Sequence, residues 1–314
     1  MSTSGVSLAG DAKTRALLPV RSHRVAVLKR VLRSTGLTLL AALLSLGMVF
    51  PFLWMVSSSL KPQQELFRIP PTLIPSQWLV DNYARAWEAA RFSRYFGNSI
   101  FVTLIGTLLT LAVCAMAAYA LAKLEFKTRE LIFWLIIASQ MIPGIVTLIP
   151  TFLIVKNMPL AGGNNLLGSG GHGWLNTFEG LVIPGVAAGF GVFLLRQFFQ
   201  SVPNELLYAA RVDGCDEFRI FRGIVLPLAK PALATLAIFT FQSYWNDFVW
   251  PLVITTDDTV RTVQLGLTVF RQRFTTEWGP LMAGVTIATL PVVLVFLSAQ
   301  RYFVSGIALT GIKE

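Results

Sequence analysis

The sequence predicts an all-α fold, a polytopic membrane protein with six transmembrane helices. Two observations carry this. Of 314 residues, 54% are hydrophobic and 13% charged, about half the charge of an average soluble domain. Mean hydropathy is +0.64. The apolar residues also gather into six stretches, each near the roughly 20 residues that cross a hydrocarbon core as helix. A soluble globule of this length needs a charged skin that this chain cannot make. Composition therefore excludes an ordinary cytosolic enzyme, a disordered chain and a charged nucleic-acid binder. The net charge of +10 reflects orientation in a membrane protein, and no nucleic-acid partner is expected.

Residues 1–35 form a basic tail. Within it, Arg21 to Arg33 mix basic and apolar residues. They act as a positive anchor, or lie as a short amphipathic helix on an anionic leaflet. The spans are Gly36–Ser58, Ser99–Ala122, Leu131–Val155, Gly180–Phe199, Ala232–Ile254 and Leu281–Tyr302. The first follows a long tail and is too long for the core of a cleaved leader. With the N-terminus inside, the inner segments hold 7, 3, 5 and 2 Lys and Arg, and the outer ones 5, 1 and 3. That bias predicts a multi-pass protein of the cytoplasmic (inner) membrane with both ends inside. The expected organisation is the tail 1–35, a first span and external loop 36–92, a main transmembrane domain 93–302, and an inner tail 303–314.

The chain offers little chemistry of its own. The loop 161–173 contains a G-x-G-x-x-G match at Gly168, Gly170 and Gly173. It joins two spans and lacks the strand and helix that a dinucleotide site needs, so a flexible loop is expected. No phosphate-binding G-x-x-x-x-G-K-[ST] occurs, nor H-E-x-x-H, nor G-x-S-x-G. Cys114 and Cys215 are too few for a disulfide scaffold, and His23 and His172 too few for a histidine metal site. No catalytic residue, resident cofactor or metal is expected, and the chain is read as no enzyme.

The informative segment is the inner loop 201–228. Pro203 suits the first turn of a helix and Glu205 its positive end. Leu206, Leu207, Ala210 and Val212 supply apolar positions, and Gly214 can take the left-handed conformation that ends a helix. Asp216 then caps a second short helix carrying Phe218, Ile220 and Phe221, and Pro227 closes it. Such an elbow is too polar for lipid and too apolar to stand bare in water, so it reads as a partner surface.

Ala209-Ala210, Asp213-Gly214 and, ten residues after that glycine, Ile224-x-Leu226-Pro227 resemble the coupling loop of ABC importer permeases, E-A-A-x-x-x-G-x(9)-I-x-L-P. Ser59-Leu60-Lys61-Pro62, Asn98-Ser99, Phe193 to Phe199, Trp245-Asn246-Asp247-Phe248 and Gln300 to Gly306 are similar to the maltose-type sugar permeases. The resemblance runs from about residue 36 to the end. It implies the type I importer transmembrane fold. Its partners would be a second six-helix permease, two copies of a cytoplasmic ATPase that binds ATP and Mg, and an extracytoplasmic sugar-binding protein. The implied coupling residues are Glu205, Tyr208, Ala209, Ala210, Asp213, Gly214, Ile224, Leu226 and Pro227. Ala209 and Ala210 would keep the elbow surface low. Tyr208 departs from the motif's Glu. Either Glu205, one turn upstream, replaces it, or that contact is absent.

In span five, Gln242 and Asn246, and Ser243 and Asp247, are spaced i, i+4 and form one polar stripe on a continuous helix. Asp247 lies about 22 Å of helix beyond Ala232, toward the outer mouth. These four, with Gln140 of span three, are candidates for a solute path or for hydrogen bonds between helices. Pro143 and Pro150 are expected to kink span three. Trp245 and Trp250 are read as interfacial residues. The competing reading, a self-contained channel or secondary carrier, predicts mid-span ionisable residues and no coupling loop.

Overall fold

The computed structural model describes residues 20–89, 91–271 and 276–310, and side chains within 33–300. The tail residues 1–19 and 311–314 lie outside the described residues, as do the side chains of residues 21–32 in the expected amphipathic segment. The chain divides into two units, Met1–Trp54 and Met55–Glu314. The first is described as most of helix α1 (Val20–Ser59). Its backbone is helical from Val20 without a break into the apolar stretch, so the expected separate short helix is the start of α1.

In the second unit α2 (Gln63–Leu66) and α3 (Asp81–Ala89) precede α4 (Phe92–Lys123). Next come α5 (Arg129–Ser139), α6 (Gly144–Lys156), α7 (Phe178–Val186) and α8 (Gly189–Ser201). The elbow region holds α9 (Asn204–Val212), α10 (Glu217–Ile220), a π-helical turn (Phe221–Val225) and α11 (Leu226–Leu228). After it stand α12 (Lys230–Asn246), α13 (Val249–Ile254), α14 (Val263–Gly266) and α15 (Trp278–Thr310). Among the described residues the one β pairing is a bridge between Arg271 and Thr276.

Among the described residues three helices are long and apolar enough to cross a membrane, or up to six if each bent pair counts as one span. Spans one, two and six are unbroken; the last helix runs to Thr310, past the expected boundary at Tyr302. Span three is α5 and α6, bent by 104° between them. Pro143 stands at the break, without an N–H to continue the ladder. Pro150 lies inside α6. Span four is α7 and α8, bent by 44°. The expected fifth span is also broken. Helix α12 ends at Asn246, Asp247 is extended, and α13 starts at Val249. The arm Glu217–Leu228 meets α12 at 80°, and its Glu217, Arg219 and Arg222 mark it as loop rather than span.

Helix α4 forms the centre and packs against α7, α8 and α12. Thr103, Gly106, Thr107, Thr110, Cys114, Ala115 and Ala118 give it a buried face of small side chains, which lets neighbours approach closely. At Gly106 an added Cβ would lie 2.7 Å from the Tyr244 ring. That ring cannot easily retreat, because its hydroxyl donates to Val182 O at 3.0 Å. A second cluster surrounds Trp245, which is 1% exposed. Its Nε1 donates to Ala288 O at 2.9 Å, and its ring meets Phe96 edge-on and Phe241 stacked. Trp245 is therefore a core residue, not the interfacial one expected.

The external loop after α1 is knitted together. Lys61 is 1% exposed and donates to Thr72 O. Glu65 accepts from Thr72 Oγ1 at 2.8 Å and Ser76 Oγ at 2.7 Å. The Ser76 and then the Thr72 hydroxyl hold its carboxyl below the usual range. The loop 161–173 is likewise built rather than loose. Asn164 is buried; its amide donates to Lys156 O and Met158 O and accepts from Gly171 N.

Packing at Gly106 generates a prediction. Gly106→Val should destabilise the detergent-purified chain by about 1–3 kcal/mol through overpacking. Gly97→Val on the same helix, where nothing lies within 4 Å, should leave the apparent Tm unchanged. Thermal denaturation of the two variants checks this.

Candidate functional site

The elbow is a helix, a left-handed turn and a second helix. Helix α9 starts after Pro203, which sits at its N-cap rather than inside its first turn. Leu207 and Ala210 face inward and join a core cluster with Phe199, Val202, Ile220 and Phe221. The expectation that both alanines lie on the outer surface is corrected here: Ala209 is exposed and Ala210 buried, because α9 is amphipathic with its apolar face at 207 and 210. Glu205, Tyr208, Ala209, Val212 and Asp213 are exposed together on the outside. Ile224 and Leu226 are half-buried behind them and Pro227 is exposed.

Gly214 has φ +80°. Its N–H donates to Arg211 O at 3.0 Å, and Cys215 N–H donates to Ala210 O at 2.9 Å. This pair of bonds is a Schellman motif, which satisfies the last carbonyls of the helix. Asp216 then caps α10 by accepting from Arg219 N at 2.7 Å. The turn leaves apolar side chains in the open: Val212 is 87% exposed, Phe218 67% and Tyr208 55%.

Glu217 joins the two arms, a role invisible in the sequence. It accepts from Arg211 Nε at 2.8 Å and from Tyr119 OH, on α4, at 2.6 Å. These two donors, Arg211 first, hold its carboxyl below the ordinary range. A lowered folded pKa contributes stability above the unfolded value and loses it as pH falls through the folded one, so the clamp is intact at neutral pH. Two further contacts tie the elbow base and the end of α8 to α4. Lys123 Nζ donates to Val202 O at 2.6 Å and Asn204 Oδ1 at 2.7 Å. Buried Arg196 donates to Leu121 O and Glu130, with its guanidinium 3.8 Å from the Phe133 ring centre. Only distances across the fold reveal these partners.

The solute-path candidates separate. Because α12 stops at Asn246, the four residues of span five do not form one helical stripe. Ser243 and Asp247 line a cavity of about 380 Å³ between α7, α8 and α12, with Thr240, Tyr244 and Trp250. Gln242 and Asn246 are exposed outside it, and Asn246 Oδ1 lies 3.5 Å from the Gln264 amide. Asp247 and Trp250 also line a second cavity of about 360 Å³ against α6. Trp250 is half-buried; its Nε1 donates to Gly180 O at 2.9 Å, so its ring belongs to the cavity wall. Gln140 stands at the α5–α6 break, and its amide lies so close to Gly189 that a Cβ there would be 2.1 Å from Nε2. Among the described residues no cluster of His, Cys, Asp and Glu is arranged to hold a metal.

Residues 113–309 match the family described as binding-protein-dependent transport system inner membrane component. The chain belongs to this permease family. It is 34% identical over 280 residues to the arabinooligosaccharides transport system permease protein AraQ of Halalkalibacterium halodurans, covering 88% of this chain and 95% of that one. It is 35% identical over 268 residues to the sn-glycerol-3-phosphate transport system permease protein UgpE of Yersinia enterocolitica, covering 82% and 90%. The crystal structure of a bacterial ABC transporter involved in the import of the acidic polysaccharide alginate shares the fold, with a TM-score of 0.73 at 23% identity over 87% of this permease and 97% of that chain. The permease is thus a membrane-spanning transport component, and these relatives are named as transport proteins rather than enzymes.

The elbow geometry predicts a local effect. The Arg211–Glu217 pair is 33% and 43% exposed, so solvent screening limits it to about 0.5–1 kcal/mol. Glu217→Gln should speed trypsin cleavage after Arg219 about two- to fivefold at neutral pH, read as the rate of appearance of the nicked fragment.

Proposed function

We propose that this permease is one of two membrane subunits of an ATP-driven importer of a carbohydrate, an oligosaccharide or related sugar. Its partners are a second six-helix permease, two copies of an ATPase that binds ATP and Mg, and an extracytoplasmic sugar-binding protein. The chain lies in the cytoplasmic membrane with both ends inside. The elbow carries the reading: it is ordered by its own bonds yet exposes Tyr208, Val212 and Phe218. The carbohydrate assignment rests on the resemblance to sugar permeases and on relatives such as AraQ.

In this reading the elbow seats in a cleft of the ATPase through Glu205, Tyr208, Ala209, Asp213 and Gly214. Ala210, Ile224, Leu226 and Pro227 fix its shape from behind. Closure of the ATPase pair moves the elbow as a rigid body, the motion passes into α8, α12 and α4, and the cavity at Asp247 changes access.

Two outcomes are expected. Ser169→Cys should react with an impermeant thiol reagent from outside intact cells, and Lys127→Cys only after permeabilisation; the reverse pattern overturns the topology. Gly214→Val places a β-branched residue at φ +80°, a strain of about 1–2 kcal/mol before any clash with the ATPase. It should abolish sugar uptake while the permease still reaches the membrane, whereas Tyr208→Glu, which restores the motif, should be tolerated. Uptake and ATPase pull-down from membranes decide this, and normal values for Gly214→Val sink the coupling role.

A further inference from the structure

The three broken spans break at one place. The Gln140 amide at the α5–α6 break rests on Gly189, the first residue after the α7–α8 break. Ala188 of that second break and Asp247 of the α12–α13 break line the same cavity of about 380 Å³. Asp247 and Trp250 also wall the cavity of about 360 Å³ against α6. Both volumes fall within the range of small-molecule sites. Interrupted helices inside a bilayer are tolerated where the freed backbone is buried in protein or lines a water-filled space, and in transporters such interruptions lie at the bound solute.

We propose that this junction is a solute subsite of the chain itself, selective for an uncharged polyhydroxylated solute, a neutral sugar, over an anionic one; this rests on the reading of the chain as a solute permease. The Asp247 carboxylate accepts hydroxyl hydrogen bonds, and Thr240, Ser243 and Tyr244 bring hydroxyl groups. Trp250 presents an indole whose position is set by its bond to Gly180 O, a surface for the apolar face of a sugar ring. Among the described residues no Lys, Arg or His lines either cavity. A carboxylate or phosphate on the solute would meet Asp247 with no counter-cation, in a low-dielectric setting that strengthens the repulsion. Family membership does not decide the charge, since AraQ is named for arabinooligosaccharides and UgpE for sn-glycerol-3-phosphate.

The test uses the importer assembled with its genomic partner subunits and carrying Ser243→Cys, with the unsubstituted complex as background for Cys114 and Cys215. Cationic and anionic methanethiosulfonate reagents are compared, each normalised to its rate with a free thiol. The cationic reagent should be favoured about tenfold, and adding Asp247→Asn should remove the preference. A pool of neutral malto-, arabino- and chito-oligosaccharides at millimolar concentration should slow the modification, and trigalacturonate should not. An absent charge preference, protection by trigalacturonate, or no protection by any neutral sugar each overturns the proposal. Should Asp247→Asn fail to assemble, the charge preference and protection in the Ser243→Cys complex alone decide. The charge preference does not depend on which solute is carried, so it can fail while sugar uptake stands; failed uptake of every sugar sinks the transport reading separately.

Discussion

Inside a hydrocarbon slab, backbone that leaves the helical ladder finds no water to bond, and this constraint organises the chain. Three of its spans leave the ladder. Each break limits the damage with local bonds. Gln140 N–H donates to Ile137 O and Met141 N–H to Ala138 O, Ala188 N–H donates to Val186 O, and Asp247 N–H donates to Tyr244 O. Asp247 adds its own carboxylate as acceptor for Trp250 N–H at 3.3 Å. Two of the breaks gather at one cavity wall, through Ala188 and Asp247, which keeps that irregular backbone against protein, while Gln140, Met141 and Ile142 at the third stay exposed.

Helix α4 makes that gathering possible. It stays unbroken over 32 residues because it holds no proline and because its buried face is small. Gly106 admits the Tyr244 ring, which forms one wall of the cavity. Thirteen residues on, about 20 Å of helix, Tyr119 reaches Glu217 in the elbow. One stiff rod therefore touches both the elbow and the cavity. In the proposed coupling, motion of the elbow would not be confined to the helices that continue from it in sequence.

The fold class, the positions of the apolar stretches and the elbow were legible because each depends on short-range rules. Hydropathy marks spans, an Asp before a short apolar run marks a cap, and a glycine after a periodic stretch marks a left-handed turn. Asp216 and Gly214 behave as those rules require. The breaks were half legible: Pro143 signals one, but nothing in the run Thr240 to Trp250 announces that the helix stops at Asn246. Trp245 was misread because hydropathy cannot tell a membrane-interface indole from one packed against Phe96, Phe241 and Ala288. Glu217 was missed because its partners lie on another helix and beyond a turn, and no spacing rule spans a left-handed glycine.

The elbow's order comes from its own chain. The Schellman bonds at Gly214, the Asp216 cap and the Arg211–Glu217–Tyr119 contacts are all intramolecular. A surface that holds its shape alone loses little conformational freedom when a partner seats on it, so more of the contact energy remains for docking. In the proposed coupling it would also transmit force as a unit, since a disordered loop would fold and unfold with each cycle instead of moving its neighbours. The exposed Tyr208 in place of a carboxylate fits this design. A single charge at the rim contributes to orientation and encounter, whereas Val212 and Phe218 supply apolar area whatever residue stands at 208. In the proposed coupling, shape and buried area would hold the joint, and charge would only tune it.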